Sequence, residues 1–243
     1  MNYWNFFYRS VESRLMENRG TSRVIRDRHV IRDYLARPDS TALVSFPRTG
    51  SHWLRMIMER YFERPSLVRI FFYPEKSDYL SFHTHDKDLR FTHPRTIYLY
   101  RDPVETLYSQ MQFCGEPLES ARKVRHWAGE YAANLSKWLD NETFTEKKLI
   151  FKYENLRADP AGEFSKLCDW YNLPLDTARL ESALDGLTKN RVDKGTSDRR
   201  VVNLSTTYSE QRDRFREAHS ALIWSVTAAF GLMPHFQDGD APE

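Results

Sequence analysis

The chain reads as an α/β protein, a single-domain parallel β-sheet flanked by helices. Three observations predict this. Four apolar runs have strand length: TALVSF (41–46), DYLSFHT (78–84), TIYLYR (96–101) and KKLIFKYE (147–154). Segments with the apolar spacing of amphipathic helices separate them. Strands alternating with helices give a parallel sheet covered on both faces.

The first run, TALVSF, is almost continuously apolar, as a strand buried on both faces tends to be. The stretch SFPRTGSHWLR (45–55) follows as a polar turn with one glycine. It leads into a helix over 51–62 with Leu54, Ile57, Met58 and Tyr61 on one face. DYLSFHT alternates apolar and polar residues, whereas TIYLYR and KKLIFKYE again resemble two-sided interior strands. Pro103 suits the first turn of a helix carrying Val104, Leu107, Tyr108 and Met111. A longer helix is expected over about 118–139, from Leu118 through Trp138. Asp159-Pro160 reads as an N-cap followed by proline, opening a helix to about Tyr171. Thr207-Tyr-Ser-Glu210 is a capping-box pattern opening a helix to about Phe230. Residues 188–207 have little periodicity and many charges; such a stretch is either a functional segment or a solvated loop.

We divide the chain into an N-terminal extension (1–40) packed on the core and an α/β domain (41–243). The extension begins with Trp4, Phe6, Phe7 and Tyr8, read as a strap on the domain or a partner contact. The 36 basic and 34 acidic residues leave a net charge of +2, which argues against bulk nucleic-acid binding but allows a local basic pocket. Cys114 and Cys168 fit no metal or redox spacing and are expected to be reduced thiols. No run approaches the ~18 apolar residues of a membrane span. No secretory signal pattern is present, so a cytoplasmic protein is expected. Oligomeric state is not legible.

The first turn is P-loop-like. Pro47 stiffens it, Gly50 permits a backbone conformation other residues resist, and a helix starts near Ser51. The free N–H groups of that helix start converge on one spot, helped by the helix dipole. Arg48, Thr49, Ser51 and His52 add side-chain donors, so the loop is a cradle for a compact anion. It lacks the second glycine and the Lys-Ser/Thr ending that hold magnesium triphosphates. In YRDPVETLYSQ, Arg101 ends a strand and Ser109 follows eight residues on. A planar guanidinium suits a phosphate dianion. Ligands of such sheets bind beyond the carboxyl ends of the strands, here the loops after 46, 84, 101 and 154. Two anion sites on one rim suggest a ligand with two separated anionic groups.

These motifs make the sequence resemble the sulfotransferases that use 3′-phosphoadenosine 5′-phosphosulfate (PAPS) and release 3′-phosphoadenosine 5′-phosphate (PAP). Phe46-Pro-Arg-Thr-Gly-Ser-His-Trp53 is similar to the family's aromatic-Pro-Lys-Ser-Gly-Thr-Thr-Trp loop, with Arg48 in place of Lys and His52 in place of Thr. The Arg101–Ser109 spacing equals the family's 3′-phosphate pair. KYENLRADP (152–160) resembles the segment whose tyrosine, here Tyr153, lies by the adenine. Lys194-Gly195 resembles the family's Arg-Lys-Gly, with Asp193 before the lysine. The resemblance covers about residues 41 to 200. It implies Arg48 on the bridging oxygen, Ser109 near that oxygen and the 3′-phosphate, and metal-independent transfer. It also puts Trp53 beside the adenine, although core packing explains Trp53 nearly as well. A sulfuryl group carries less charge than a terminal phosphoryl group, so cations and N–H donors suffice without magnesium.

Transfer needs a base for the acceptor hydroxyl or amine, and histidine titrates in the useful range. FHTHDKD offers His83 and His85 at a strand end; they are expected on opposite sides of the strand, so that one reaches the donor. Thr84-His85 best resembles the family's Lys-Thr-His-x-Pro, although lysine and proline are missing. His85 is therefore the expected base and His83 the fallback. His83-x-His85 with Asp86 has no third distant ligand, and no metal is expected. His93 belongs at the other edge of the sheet. Arg55 and Arg60 read as solvated helix charges, and His219 as a helix-surface residue. Residues 63–91 with 113–127 are expected to shape a pocket for a carbohydrate or small polar acceptor. The rival readings are a nucleoside-type kinase, whose loop and carboxylate are absent, and a non-catalytic nucleotide-binding relative.

Overall fold

A computed structural model describes residues 23–24, 27–73, 78–185, 187 and 206–236. Its centre is a sheet of β2 (Ala42–Ser45), β4 (Phe82–Thr84), β5 (Arg95–Tyr100) and β6 (Lys147–Lys152), in spatial order β4-β2-β5-β6. All pairings are parallel; Leu43 stands opposite His83 on one side and Ile97 on the other. A separate antiparallel pair joins β1 (Arg23–Val24) to β3 (Arg69–Ile70).

The near-continuous apolar runs have the expected cause. Along β2, Ala42 and Val44 enter one core cluster and Leu43 the other; along β5, Tyr98 and Tyr100 face one way, Ile97 and Leu99 the other. Each strand is thus buried on both faces. Helices α3 (Pro103–Cys114), α4 (Ala121–Leu139) and α8 (Tyr208–Ala229) cover the first face. The second carries α2 (Ser51–Phe62), α5 (Tyr153–Ala158), α6 (Pro160–Trp170) and α7 (Thr177–Asp185).

Helix starts follow local chemistry. Asp102 accepts from the Glu105 N–H at 2.7 Å and Asp159 from the Gly162 N–H at 2.9 Å, each just before a proline. Helix α8 starts at the predicted place, but without the capping box: Thr207 has φ −91° and ψ 2°, and its side chain makes no cap bond. The expected strand 147–154 ends at Lys152, and Tyr153 becomes the first residue of a helix.

Within residues 1–40, α1 (Arg28–Leu35) buries Ile31 and Tyr34. The Tyr34 hydroxyl lies 3.2 Å from the Thr41 carbonyl and 3.1 Å from that of Leu80, and accepts the Thr41 N–H at 3.0 Å. The aromatic residues at the amino terminus lie outside the described residues. Among the described residues, no helix is long and apolar enough to cross a membrane.

Candidate functional site

Residues 46–50 turn the chain from β2 into α2 through two left-handed positions, Arg48 (φ 70°) and Gly50 (φ 96°). A Cβ at Gly50 would stand 2.5 Å from two ring carbons of Tyr153, so both backbone and space demand glycine there. A left-handed arginine costs on the order of 1 kcal/mol, which the surroundings must sustain. They do so partly through Thr49, whose buried hydroxyl donates to the Phe46 carbonyl at 2.9 Å. That proton closes the turn. Ser51 is buried at the start of α2, where the helix leaves its N–H groups free.

Arg48 and Arg101 meet on one rim. The Arg48 Nε–H donates to Ser109 Oγ at 3.0 Å, and its guanidinium lies over the Phe113 ring at 5.0 Å. Arg101 reaches the Arg48 carbonyl through Nη1 at 3.5 Å and stacks over Tyr153 at 4.7 Å. Its backbone is clamped by Tyr131, whose hydroxyl accepts the Arg101 N–H at 3.0 Å and donates to its carbonyl at 2.7 Å. Acidic neighbours hold the guanidinium: Nη2 bonds Glu105 at 3.2 Å, and Nε stands 3.8 Å from Glu154 without a hydrogen bond. Burial, ahead of all other influences, raises the Glu154 carboxyl above its ordinary value. Trp53 and Tyr153 meet edge to face, 5.8 Å apart at 71°, so they form an aromatic corner rather than a parallel slot.

The histidines lie across the loop from this rim. The expected separation of His83 and His85 does not occur: their rings are 4.7 Å apart. Residues two apart share one face of a strand, so the alternation itself puts positions 83 and 85 on the same side, contrary to that expectation. Both rings converge on Ser45. The His85 Nδ1–H donates to the Ser45 carbonyl at 2.8 Å, while the Ser45 hydroxyl lies 3.2 Å from His83 Nε2. The first bond leaves the lone pair of His85 on Nε2. Burial lowers the His85 pKa to about 4, with Lys87, Arg55 and Arg48 acting the same way against the Ser45 bond. Burial, then Arg55, also pushes His83 and His52 well below the ordinary value. His52 packs edge-on against Phe71, and its buried Nε2 has no hydrogen-bond partner among the described residues.

Two readings of charge placement need correction. Arg55 is not a solvated helix residue: it is buried, and burial lowers its pKa to about 9. It bonds the Arg69 carbonyl and lies under the influence of Glu59, whose carboxylate accepts the Ser66, Phe71 and Phe72 N–H groups. His219 is likewise buried, 2.9 Å from the Leu118 carbonyl. His93 does sit at the amino end of β5, bonded to Ser40. Lys194 and Gly195 lie outside the described residues.

Sequence reading missed four neighbours of the site: Ser45, Glu105, Glu154 and Tyr208. Ser45 left one signal, a hydroxyl at the end of an otherwise apolar strand. Tyr208 lies within the influence of Arg101, Arg48 and Ser109, with the Tyr108 hydroxyl donating to its carbonyl at 3.1 Å. It arrives from a helix 99 residues beyond Ser109, and nothing local announces it.

A family model described as "Sulfotransferase domain" matches residues 68–224, more than half of the chain. The chain belongs to the sulfotransferase domain family. The matched span holds His83, His85, Arg101, Ser109 and Tyr153, whereas the Arg48 loop precedes it and is joined to the sulfotransferase match by the contacts above. No curated protein matches the chain at the level of sequence. Among solved structures, the mouse sulfotransferase SULT7A1 complexed with PAP is similar at 15% identity and TM-score 0.52, over 82% of this chain and 92% of that one. Retinol dehydratase in complex with androsterone and inactive cofactor PAP is similar at 12% identity and TM-score 0.55, over 87% and 84%. At these identities the likeness is one of fold.

Proposed function

We propose that this sulfotransferase-family protein moves a sulfuryl group from PAPS to a hydroxyl or amine of a carbohydrate or other small acceptor. The observation that carries the reading is the shared rim: Arg101 Nη1 reaches the Arg48 backbone carbonyl at 3.5 Å, and the Arg48 side chain holds Ser109. One elongated ligand with an anionic group at each end can engage both. PAP in the two structural neighbours supports the same donor. The residues present fit it. Free N–H groups at the start of α2 with Arg48 suit the 5′ end, Arg101 and Ser109 the 3′-phosphate, and the Trp53–Tyr153 corner the adenine.

The donor supplies an activated sulfur whose bond to the bridging oxygen breaks as the acceptor oxygen or nitrogen bonds it. In this reading His85 Nε2 takes the acceptor's proton, because its tautomer leaves the lone pair there and its burial keeps the ring neutral at pH 7. Arg48 neutralises charge growing on the leaving oxygen, with Ser109 holding its Nε. The depressed pKa makes His85 a weak base but keeps the base form available in mild acid.

For the acceptor, a cavity of about 310 Å³ adjoins the loops that carry Arg48 and His85. It is lined by Phe46, Lys87, Asp88, Trp127 and Glu130, among others. The lining sets the charged side chains of Lys87, Asp88 and Glu130 beside the aromatic rings of Phe46 and Trp127. An acceptor rich in hydroxyls suits such a lining, which favours a polar molecule over a purely apolar one. A larger opening, about 480 Å³ beside Arg60 and Arg179, lies toward the far end of α2. Nine residues of helix, about 13 Å, separate Arg60 from Ser51, too far to serve the same centre.

Thermal shift with PAP, ATP and AMP tests the donor assignment. PAP should raise the melting temperature most, and excess chelator should leave the shift in place. A larger, magnesium-dependent shift with ATP would overturn it.

A further inference from the structure

Arg101 alone is a poor phosphate site. Its guanidinium faces Glu105 at 3.2 Å and Glu154 at 3.8 Å, one positive charge against two carboxylates. A phosphate dianion approaching that trio would meet net negative charge. Helix α8 changes the balance. Its Arg216 bonds Glu105 Oε1 at 2.6 Å and its Arg212 Nε lies 3.6 Å from the same oxygen. Arg216 alone brings the cluster to neutrality, and Arg212 adds a charge that it shares with Asp213. The Glu105 carboxylate is thus shared, Oε2 toward Arg101 and Oε1 toward α8, and its side chain is only 12% exposed.

We infer that Arg216, with Arg212, is a positioning residue for the 3′-phosphate end of the donor site, acting by holding and neutralising Glu105. When phosphate takes Arg101, Glu105 keeps its partners on α8 and does not repel the ligand. Arg212 also pairs with the exposed Asp213 at 2.8 Å, so Arg216 is the cleaner probe. The inference rests on the donor reading above, since it needs the 3′-phosphate at Arg101. It concerns charge rather than contact: neither α8 arginine has to touch the nucleotide.

The test is a charge cycle read by calorimetric titration of the full chain with PAP and with AMP, which lacks the 3′-phosphate. Arg216→Ala should weaken PAP binding roughly two- to fivefold at low salt, the scale of a partly exposed ion pair, and leave AMP unchanged. Adding Glu105→Gln to Arg216→Ala should restore PAP affinity to at least the wild-type level, because the repelling charge is gone. The Arg216→Ala loss should shrink at high salt. Equal weakening of PAP and AMP by Arg216→Ala would overturn the inference, as would failure of Glu105→Gln to rescue in a variant with an unaltered melting temperature. If wild-type protein does not prefer PAP to AMP, the 3′-phosphate assignment itself fails, a result distinct from a cycle that fails on a PAP-selective protein.

Discussion

The arginine rim and the histidine pocket lie on either side of one loop, yet they handle charge in opposite ways. On the rim, cations and carboxylates are cross-bonded: Arg48 to Ser109, Arg101 to Glu105, and Glu105 onward to Arg216. In the pocket, three histidines sit near Arg55 with one carboxylate, Glu59, committed to three backbone N–H groups. Burial and these cations strip the imidazoles of protons. The rim is therefore suited to hold an anion, and the pocket to hold free bases. Binding and proton transfer should be separable by mutation.

The largest expected effect breaks the pocket alone. His85→Ala should lower turnover about 10²- to 10⁴-fold, the range of a general base, while calorimetric PAP affinity stays unchanged. Full turnover would move the base elsewhere, first to His83. Next, Arg101→Ala breaks the rim alone. PAP affinity should fall roughly 10- to 100-fold for a lost charged hydrogen bond, whereas Arg60→Ala should leave it intact. Equal losses would remove Arg101 from the site.

Acid sharpens the comparison. The folded-state pKa of His52, His83 and His85 lies below the ordinary 6.5, so at mildly acidic pH the unfolded chain binds more protons. Their contribution to stability is complete above about 6.5 and is lost as pH falls, for His85 toward about 4. Melting temperature should decline across that window, and less so in His83→Gln; an identical decline would show that these rings do not govern it. The smallest effect concerns the acceptor. Glu130→Gln keeps the size of one lining side chain but removes its charge. It should raise the acceptor KM roughly two- to fivefold, the scale of one hydrogen bond, without changing PAP affinity. An unchanged KM would take Glu130 out of acceptor recognition.

How legible these regions were in the sequence differs for a physical reason. The loop, Arg101 and Ser109 lie within short segments where strand, turn and helix signals sit side by side, so their placement follows from local spacing and the parallel-sheet rule. His83 and His85 were visible as residue types, and their convergence was legible as well, because residues two apart lie on one face of a strand; the expectation of opposite sides overlooked that spacing. Arg55 looked like a surface charge, since helix periodicity does not reveal that a second layer will cover that face. No local signal marks Glu105, and only α8, arriving 111 residues later, makes it a shared ligand of arginines.

By itself, the sequence determined the element order, the two-sided strands, the glycine turn and the arginines available at the sheet's carboxyl edge. Those depend on backbone preference and on apolar spacing, which act over a few residues. Tertiary structure alone decided that Tyr153 would close over Gly50, that Ser45 would orient two histidines, and that α8 would balance the charge at Arg101. Those depend on distances between segments far apart in the chain, and local preference carries no information about them.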